Sequence, residues 1–183
     1  MLHGFETGNP PEVIVCLTRD NRKNGHSWTI RVQYGCLTGT AFHSIDCDCA
    51  RQLDYSLRHI AKKGPGAVLY FWQREANGAG LAEKIRMNAK RSKAQTTADT
   101  LTRTAGQILR LESVPTILRA LRITGPIRLL TNNPAKIHAL KAAGVDIGSV
   151  IPLKVSGHQL SPIGKSELRN KQKAFNHWSA SSA

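Results

Sequence analysis

Acidic side chains are scarce in this chain: 12 Asp and Glu stand against 26 Lys and Arg, leaving a formal net charge of +14. Such an excess implies a polyanionic partner, whether nucleic acid, an acidic surface or a phosphorylated small molecule. Aromatic residues are also few, at 5%, which argues against an array of stacking platforms for single strands. No apolar run reaches the roughly 18–20 residues that a membrane span needs, so no membrane partner is expected. The first residues, Met1-Leu2-His3-Gly4-Phe5-Glu6, lack a basic region followed by an apolar stretch. No secretory signal is therefore expected, and the predicted location is cytoplasmic. Cysteine occurs four times, three of them clustered. Clustered cysteines without a secretory signal read as reduced ligands rather than disulfides.

What is present suits a soluble globular protein: 183 residues, 40% of them hydrophobic, enough for one domain with its own core. Val13–Leu17 is a short apolar run, read as a buried strand, with Cys16 as a packed core thiol. The turn chemistry of Asp20–Gly25 leads to alternating, β-branched Trp28–Val32, read as its partner strand. Apolar Leu53, Leu57, Ile60 and Ala61 define an amphipathic helix over 52–63. Ala67–Trp72 is continuously apolar and reads as a central strand covered on both faces. The glycine-bearing loop that follows, 73–81, lies where α/β sheets place ligands.

Further along, 82–93 reads as a basic helix, 94–104 as a polar loop, and 107–121 as helical with Pro115 at a start or break. Residues 127–131 predict a strand, 135–143 a helix, and 145–153 a short strand. Alternating strands and helices make the class α/β, a layered single domain with a mixed central sheet flanked by helices. The expected division is a catalytic domain over 1–155 and a basic, partly disordered tail over 156–183.

The chemistry concentrates between Gly35 and Leu53. Cys47 and Cys49 flank one aspartate, and Cys36 lies ten intervening residues upstream. Three thiolates so spaced suit a zinc ion (Zn2+) that keeps its fourth position for water. The alternative is a structural zinc whose fourth position is closed by His26, His43 or another group.

Three motifs, in order, carry a resemblance. They are Arg31-Val32 with Cys36-Leu37-Thr38-Gly39, Cys47-Asp48-Cys49 with Gln52-Leu53, and Leu129-Leu130-Thr131-Asn132-Asn133-Pro134 with Lys136. Together they resemble GTP cyclohydrolase II, over about Gly4 to Leu153. The resemblance implies a zinc-dependent opening of the imidazole ring of GTP, with C8 leaving as formate. It also implies pyrophosphate release through an arginine that attacks the α-phosphate. Magnesium (Mg2+) accompanies the triphosphate, the assembly is a homodimer, and the pathway leads to riboflavin.

Carried over by position, Cys36, Cys47 and Cys49 match the metal ligands. Gln52, Arg31, Thr131 and Lys136 match nucleotide contacts. Thr97 falls near a binding threonine, with Thr96 and Thr100 in competing registers. Glu75 matches a carboxylate that reads the guanine edge, and Arg110 falls on the catalytic arginine. The Asn133-Pro134 helix start is a further candidate for presenting backbone N–H groups to an anion.

Several chemical positions depart from the family pattern. Asp46 stands where the family has arginine, and Asn88 where it has tyrosine. Asn77 takes the place of an arginine after Glu75, a charge that Arg74 is placed to replace. Ile108 takes the place of the aspartate partner of Arg110. The expectation is ring opening with impaired pyrophosphate release. Lys84 is a further candidate phosphate contact, and a related purine nucleotide is a second candidate substrate. The contrasting expectation is a non-catalytic zinc protein that binds nucleotide or RNA through its basic surface.

Overall fold

Thr29-Ile30-Arg31-Val32-Gln33-Tyr34 is buried at every position, although it carries an arginine and a glutamine. A strand covered on both faces must lie inside its sheet, and the computed structural model places it there. The structure describes residues 1–8, 11–21, 27–91, 111–155 and 159–177. Among them, six strands form one mixed sheet: β1 (Leu2–Thr7), β2 (Glu12–Arg19), β3 (Thr29–Tyr34), β4 (Gly66–Phe71), β5 (Ile127–Leu130) and β6 (Ile147–Ile151). Their order is β1-β2-β4-β3-β5-β6. β4, β3, β5 and β6 run parallel, while β1 and β2 add an antiparallel margin beyond β4.

The helices are α1 (Leu37–Thr40), α2 (Cys49–Lys63), α3 (Leu81–Arg91), α4 (Val114–Ala120), α5 (Pro134–Ala142) and α6 (Pro162–Phe175). Local chemistry explains their ends. Lys62 and Lys63 complement the negative end of the α2 dipole. Pro115 sits in the first turn of α4, where its missing N–H costs nothing. The Asn133 side chain caps α5 by accepting from the Ala135 N–H at 2.9 Å. Ser161 caps α6 by accepting from Gly164 N–H at 3.1 Å. The core joins Ile14, Ile30, Leu69 and Phe71 of the sheet to Ile117 of α4 and Leu140 of α5. Among the described residues no helix is long and apolar enough to cross a membrane.

The α/β class and the mixed sheet agree with the sequence reading, but three expectations change. First, β3 is not the partner of β2, because β4 lies between them, antiparallel to β2 and parallel to β3. Apolar alternation places a strand in a sheet without naming its neighbour. Second, β1 gives little sequence signal: it contains Gly4 and its side chains are all exposed or half-buried, as befits an edge. Third, Pro162–Phe175, within the stretch assigned to a polar tail, is a capped helix. Its apolar content is low because it packs through charged groups, as described below.

Two glycines set how closely these elements approach. A Cβ on Gly35 would overlap the Trp72 carbonyl, so the chain leaving β3 lies against the chain leaving β4. A Cβ on Gly66 would lie 2.7 Å from Thr29 O and 2.9 Å from two carbons of Ile60. Gly66 thus lets α2 close down on the start of β4. Gly66→Ala is expected to destabilise the fold by about 1–3 kcal/mol through overpacking. The check is a lowered denaturant midpoint at unchanged slope.

Candidate metal centre and active site

The site forms where the parallel strands end. β3 delivers Gly35 and Cys36, β4 delivers Arg74 and Glu75, and β5 delivers Thr131. This is the edge of an open α/β sheet at which ligands are bound. Cys47 and Cys49 enter from the loop that starts α2.

The Sγ atoms of Cys36, Cys47 and Cys49 all lie within 4.8 Å of one another, the one such group of possible metal ligands among the described residues. The Cys36 and Cys47 sulfurs are 3.6 Å apart, and both side chains are buried. Hydrogen bonds from Cys47 and Cys49 favour the Cys36 thiolate and hold its pKa far below the usual thiol range. Donating to Cys36 pushes Cys47 up to about 11 and helps raise Cys49 well above its ordinary value. The three sulfurs thus form one hydrogen-bonded group, and a cation held among them would displace thiol protons.

Gly39 forms the cradle of the cluster: a Cβ there would sit 2.8 Å from Cys47 Sγ, 3.1 Å from Cys36 Sγ and 3.3 Å from Cys49 Cβ. Convergent soft donors around a space that one methyl group would fill could hold a metal ion, and thiolates select zinc among common divalent ions. His43 is exposed and lies outside the thiol group, and His26 lies outside the described residues.

Beside the thiols runs a chain of polar side chains. Arg31 is buried on β3 and makes four hydrogen bonds. Nε and Nη2 donate to Gln33 Oε1 at 3.0 and 2.6 Å, Nη1 to Leu130 O at 3.2 Å, and Nη2 to Gln52 Oε1 at 2.8 Å. Burial lowers the Arg31 pKa to about 10, with the Asp48 charge opposing the shift. Gln52 Nε2 donates to Asp48 Oδ2 at 2.5 Å, so both ends of its amide are fixed. Asp48 Oδ1 accepts from Lys171 Nζ on α6 at 3.1 Å, and Lys171 also reaches Glu167 at 2.9 Å. Burial alone would raise the Asp48 carboxyl, but Lys171 and the Gln52 hydrogen bond outweigh it and hold it below the usual range. Burial opposes the Lys171 charge, but Asp48 and Glu167 more than offset this and raise its pKa.

Glu75 is 5% exposed. Its Oε2 accepts from the Leu37 N–H at 2.6 Å, while its Oε1 is buried with no hydrogen-bond partner. Burial raises its pKa, opposed by the Leu37 N–H. Buried Lys84 lies on α3 close enough to act electrostatically on both Glu75 and Cys36. Lys136 is buried on α5, with Nζ 3.0 Å from Val32 O and 4.3 Å from the Tyr34 ring centroid. Burial, and next the Arg31 charge, lower its pKa well below the lysine value.

The structure thus gathers Arg31, Gln52, Glu75, Lys136 and the three cysteines around the ends of β3 and β4. Thr131 is buried, and its Oγ1 accepts from Asn133 N–H at 3.1 Å. Thr97 and Arg110 lie outside the described residues.

One expectation is corrected. The α5 start does not present free N–H groups, because Asn133 N–H is taken by Thr131, Ala135 N–H by the Asn133 side chain, and Pro134 has none. Arg74 forms a two-point ion pair with Glu12, with Nε 2.6 Å from Oε1 and Nη2 2.5 Å from Oε2. Sequence reading also missed Asp48, Glu167 and Lys171 as site residues. The signal available was the Glu167–Lys171 spacing of four, which pairs charges on a helix face.

Fold and site together define an α/β protein with a three-thiol centre at the carboxyl ends of its parallel strands. The sequence profile described as GTP cyclohydrolase II matches residues 1–152, and the chain belongs to that family. A GTP cyclohydrolase-2 of Shewanella amazonensis is 31% identical over 96% of this chain and 84% of its own. One of Actinobacillus succinogenes is 33% identical over 96% and 79%. The riboflavin biosynthesis protein RibBA of Aquifex aeolicus is 32% identical over 96% of this chain but 43% of its own length.

Gly39→Ala is expected to strip most of the bound metal from the purified protein, because the added methyl group meets two of the three sulfurs. Elemental analysis reads the loss, and circular dichroism checks that the fold survives.

Proposed function

We propose that this chain opens the imidazole ring of GTP hydrolytically and releases C8 as formate. The observation that carries this is the joining of three convergent thiols with the unpartnered carboxylate oxygen of Glu75, at the ends of adjacent parallel strands, in a member of this family. Zinc held by Cys36, Cys47 and Cys49 would supply an activated water and polarise the carbon it attacks.

The chain's own residues do the rest. Glu75 Oε1 is a buried acceptor that the N–H edge of guanine would satisfy. The Gln52 amide, clamped between Arg31 and Asp48, offers its remaining hydrogen-bonding positions to the base in one orientation. Lys136 and Arg31 place two buried basic side chains near the same strand ends, donors suited to phosphate oxygens. Thr131 and Lys84 are assigned to the same nucleotide site, Thr97 is assigned to it by its place in the sequence alone, and magnesium accompanies the triphosphate.

Arg110 is assigned the pyrophosphate-releasing role, but Ile108 denies it the carboxylate partner. Formate is therefore expected to exceed pyrophosphate. A homodimer is proposed, with exposed Phe42, Trp72 and Ile85 supplying apolar surface for that contact. The working location is the cytoplasm.

The test is incubation of zinc-loaded protein with GTP, assayed separately for formate and pyrophosphate. Formate that Cys47→Ser abolishes supports the reading. Neither product, together with salt-sensitive RNA binding, overturns it in favour of a nucleic-acid-binding zinc protein. Glu75→Gln, which keeps shape but removes charge, is expected to lower kcat/KM for GTP by the equivalent of about 1.5–3 kcal/mol, the range for hydrogen bonds to charged groups.

A further inference from the structure

Helix α6 lies beyond residues 1–152, the stretch matched by the family profile. Nevertheless it is fixed at two points to the loop that carries two of the three thiols. At its start, Ser161 N–H donates to Ile45 O at 3.0 Å and Ser161 Oγ donates to Asp46 Oδ1 at 2.5 Å. Gly164 lies so close that a Cβ would stand 2.6 Å from Ile45 O. Further along, Lys171 Nζ reaches Asp48 Oδ1 at 3.1 Å and Glu167 Oε1 at 2.9 Å, with all three side chains less than one-fifth exposed.

Asp48 is the shared node. One carboxylate oxygen takes Lys171 and the other takes the Gln52 amide, whose own oxygen takes Arg31. If Lys171 only secured the helix, its contacts would end in the helix or in backbone. Instead they run through two side chains to the guanidinium in the central strand.

We infer that Lys171 is a positioning residue of the nucleotide site, orienting the Gln52 amide and the Arg31 fork through Asp48, and that α6 is an integral wall of that site. The inference rests on the function proposed above for its kinetic consequence, but not for its structural one. Its logic is that of outer-shell partners, which fix the orientation of the groups that touch the ligand. Lys171 touches neither the thiols nor, on this reading, the substrate. Its removal leaves one Asp48 oxygen without its cation, so the carboxylate that orients the Gln52 amide is itself held by fewer contacts.

The test uses the full zinc-loaded chain with Lys171→Met, which keeps the aliphatic stem, and Lys171→Arg, which keeps the charge. The Met variant is expected to retain its zinc and to raise KM for GTP by about tenfold with a smaller change in kcat, the usual scale for loss of such a partner. The Arg variant is expected to stay within about threefold of the parent KM.

A second readout needs no turnover. The Gln52 side-chain amide, assigned by its loss in Gln52→Ala, is expected to show a distinctive, slowly exchanging NMR pair in the parent that moves to solvent-like positions in the Met variant. If the parent releases no formate from GTP, the functional reading fails, yet the amide signals still decide the positioning role. A folded Met variant with unchanged KM and unchanged Gln52 signals overturns the inference, as do Met and Arg variants that behave alike. Lys171→Gln serves for the same two readouts if the Met variant does not fold.

Discussion

A guanidinium buried in the middle of a sheet is a demand that its surroundings must meet. Arg31 stands on the strand most completely enclosed, and transferring an unpaired charge to such a position costs far more than a small domain's net stability. Its N–H groups reach a backbone carbonyl at the end of β5, a glutamine two residues along its own strand, and Gln52 on α2. Satisfying one cation therefore fixes the approach of a neighbouring strand and of a helix. The helix is the one that begins at Cys49, so the same requirement holds the sulfur cluster in register with the sheet. Asp48 supplies the nearest negative charge, and Lys171 with Glu167 balances it. Structure and site share one electrostatic arrangement.

The cationic excess divides along this arrangement. Among the described residues many charged groups are solvated, as in the exposed Arg58–Asp54 and Arg86–Glu83 pairs, which contribute little to stability. Arg31, Lys84, Lys136 and Lys171 are different, since they are enclosed near the strand ends. Two carboxylates, Asp48 and Glu167, are paired with Lys171 there, and Glu75 keeps one oxygen unpaired. The whole-chain charge hinted at an anionic partner but could not say where. The buried basic groups gathered at the strand ends give the hint a location.

Much of this was legible in the chain itself. The cysteine spacing foretold the thiol cluster because three sulfurs so close in sequence need only one tight excursion to meet. Apolar periodicity marked β2, β4 and α2, since burial on a regular element leaves a regular trace. Neighbour order within the sheet was not legible: the insertion of β4 between β2 and β3 is a long-range choice with no local signature. Nor was the role of α6. A helix that docks through Ser161, Gly164 and Lys171 has the composition of a solvated tail, and only its partners reveal it as packed. The engagement of Arg74 with Glu12 was hidden for the same reason, because the partner lies 62 residues away.

Gly35 sits against the Trp72 carbonyl at the point where two strands release their loops. The loop bearing Cys36 and the loop bearing Glu75 thus leave the sheet side by side, joined by the Gly35 N–H bond to Phe71 O at 2.9 Å and by the Leu37 N–H bond to Glu75. A frame built on main-chain atoms makes no demand on the side chains at its rim, so their identity is free to differ while the two loops keep their spacing.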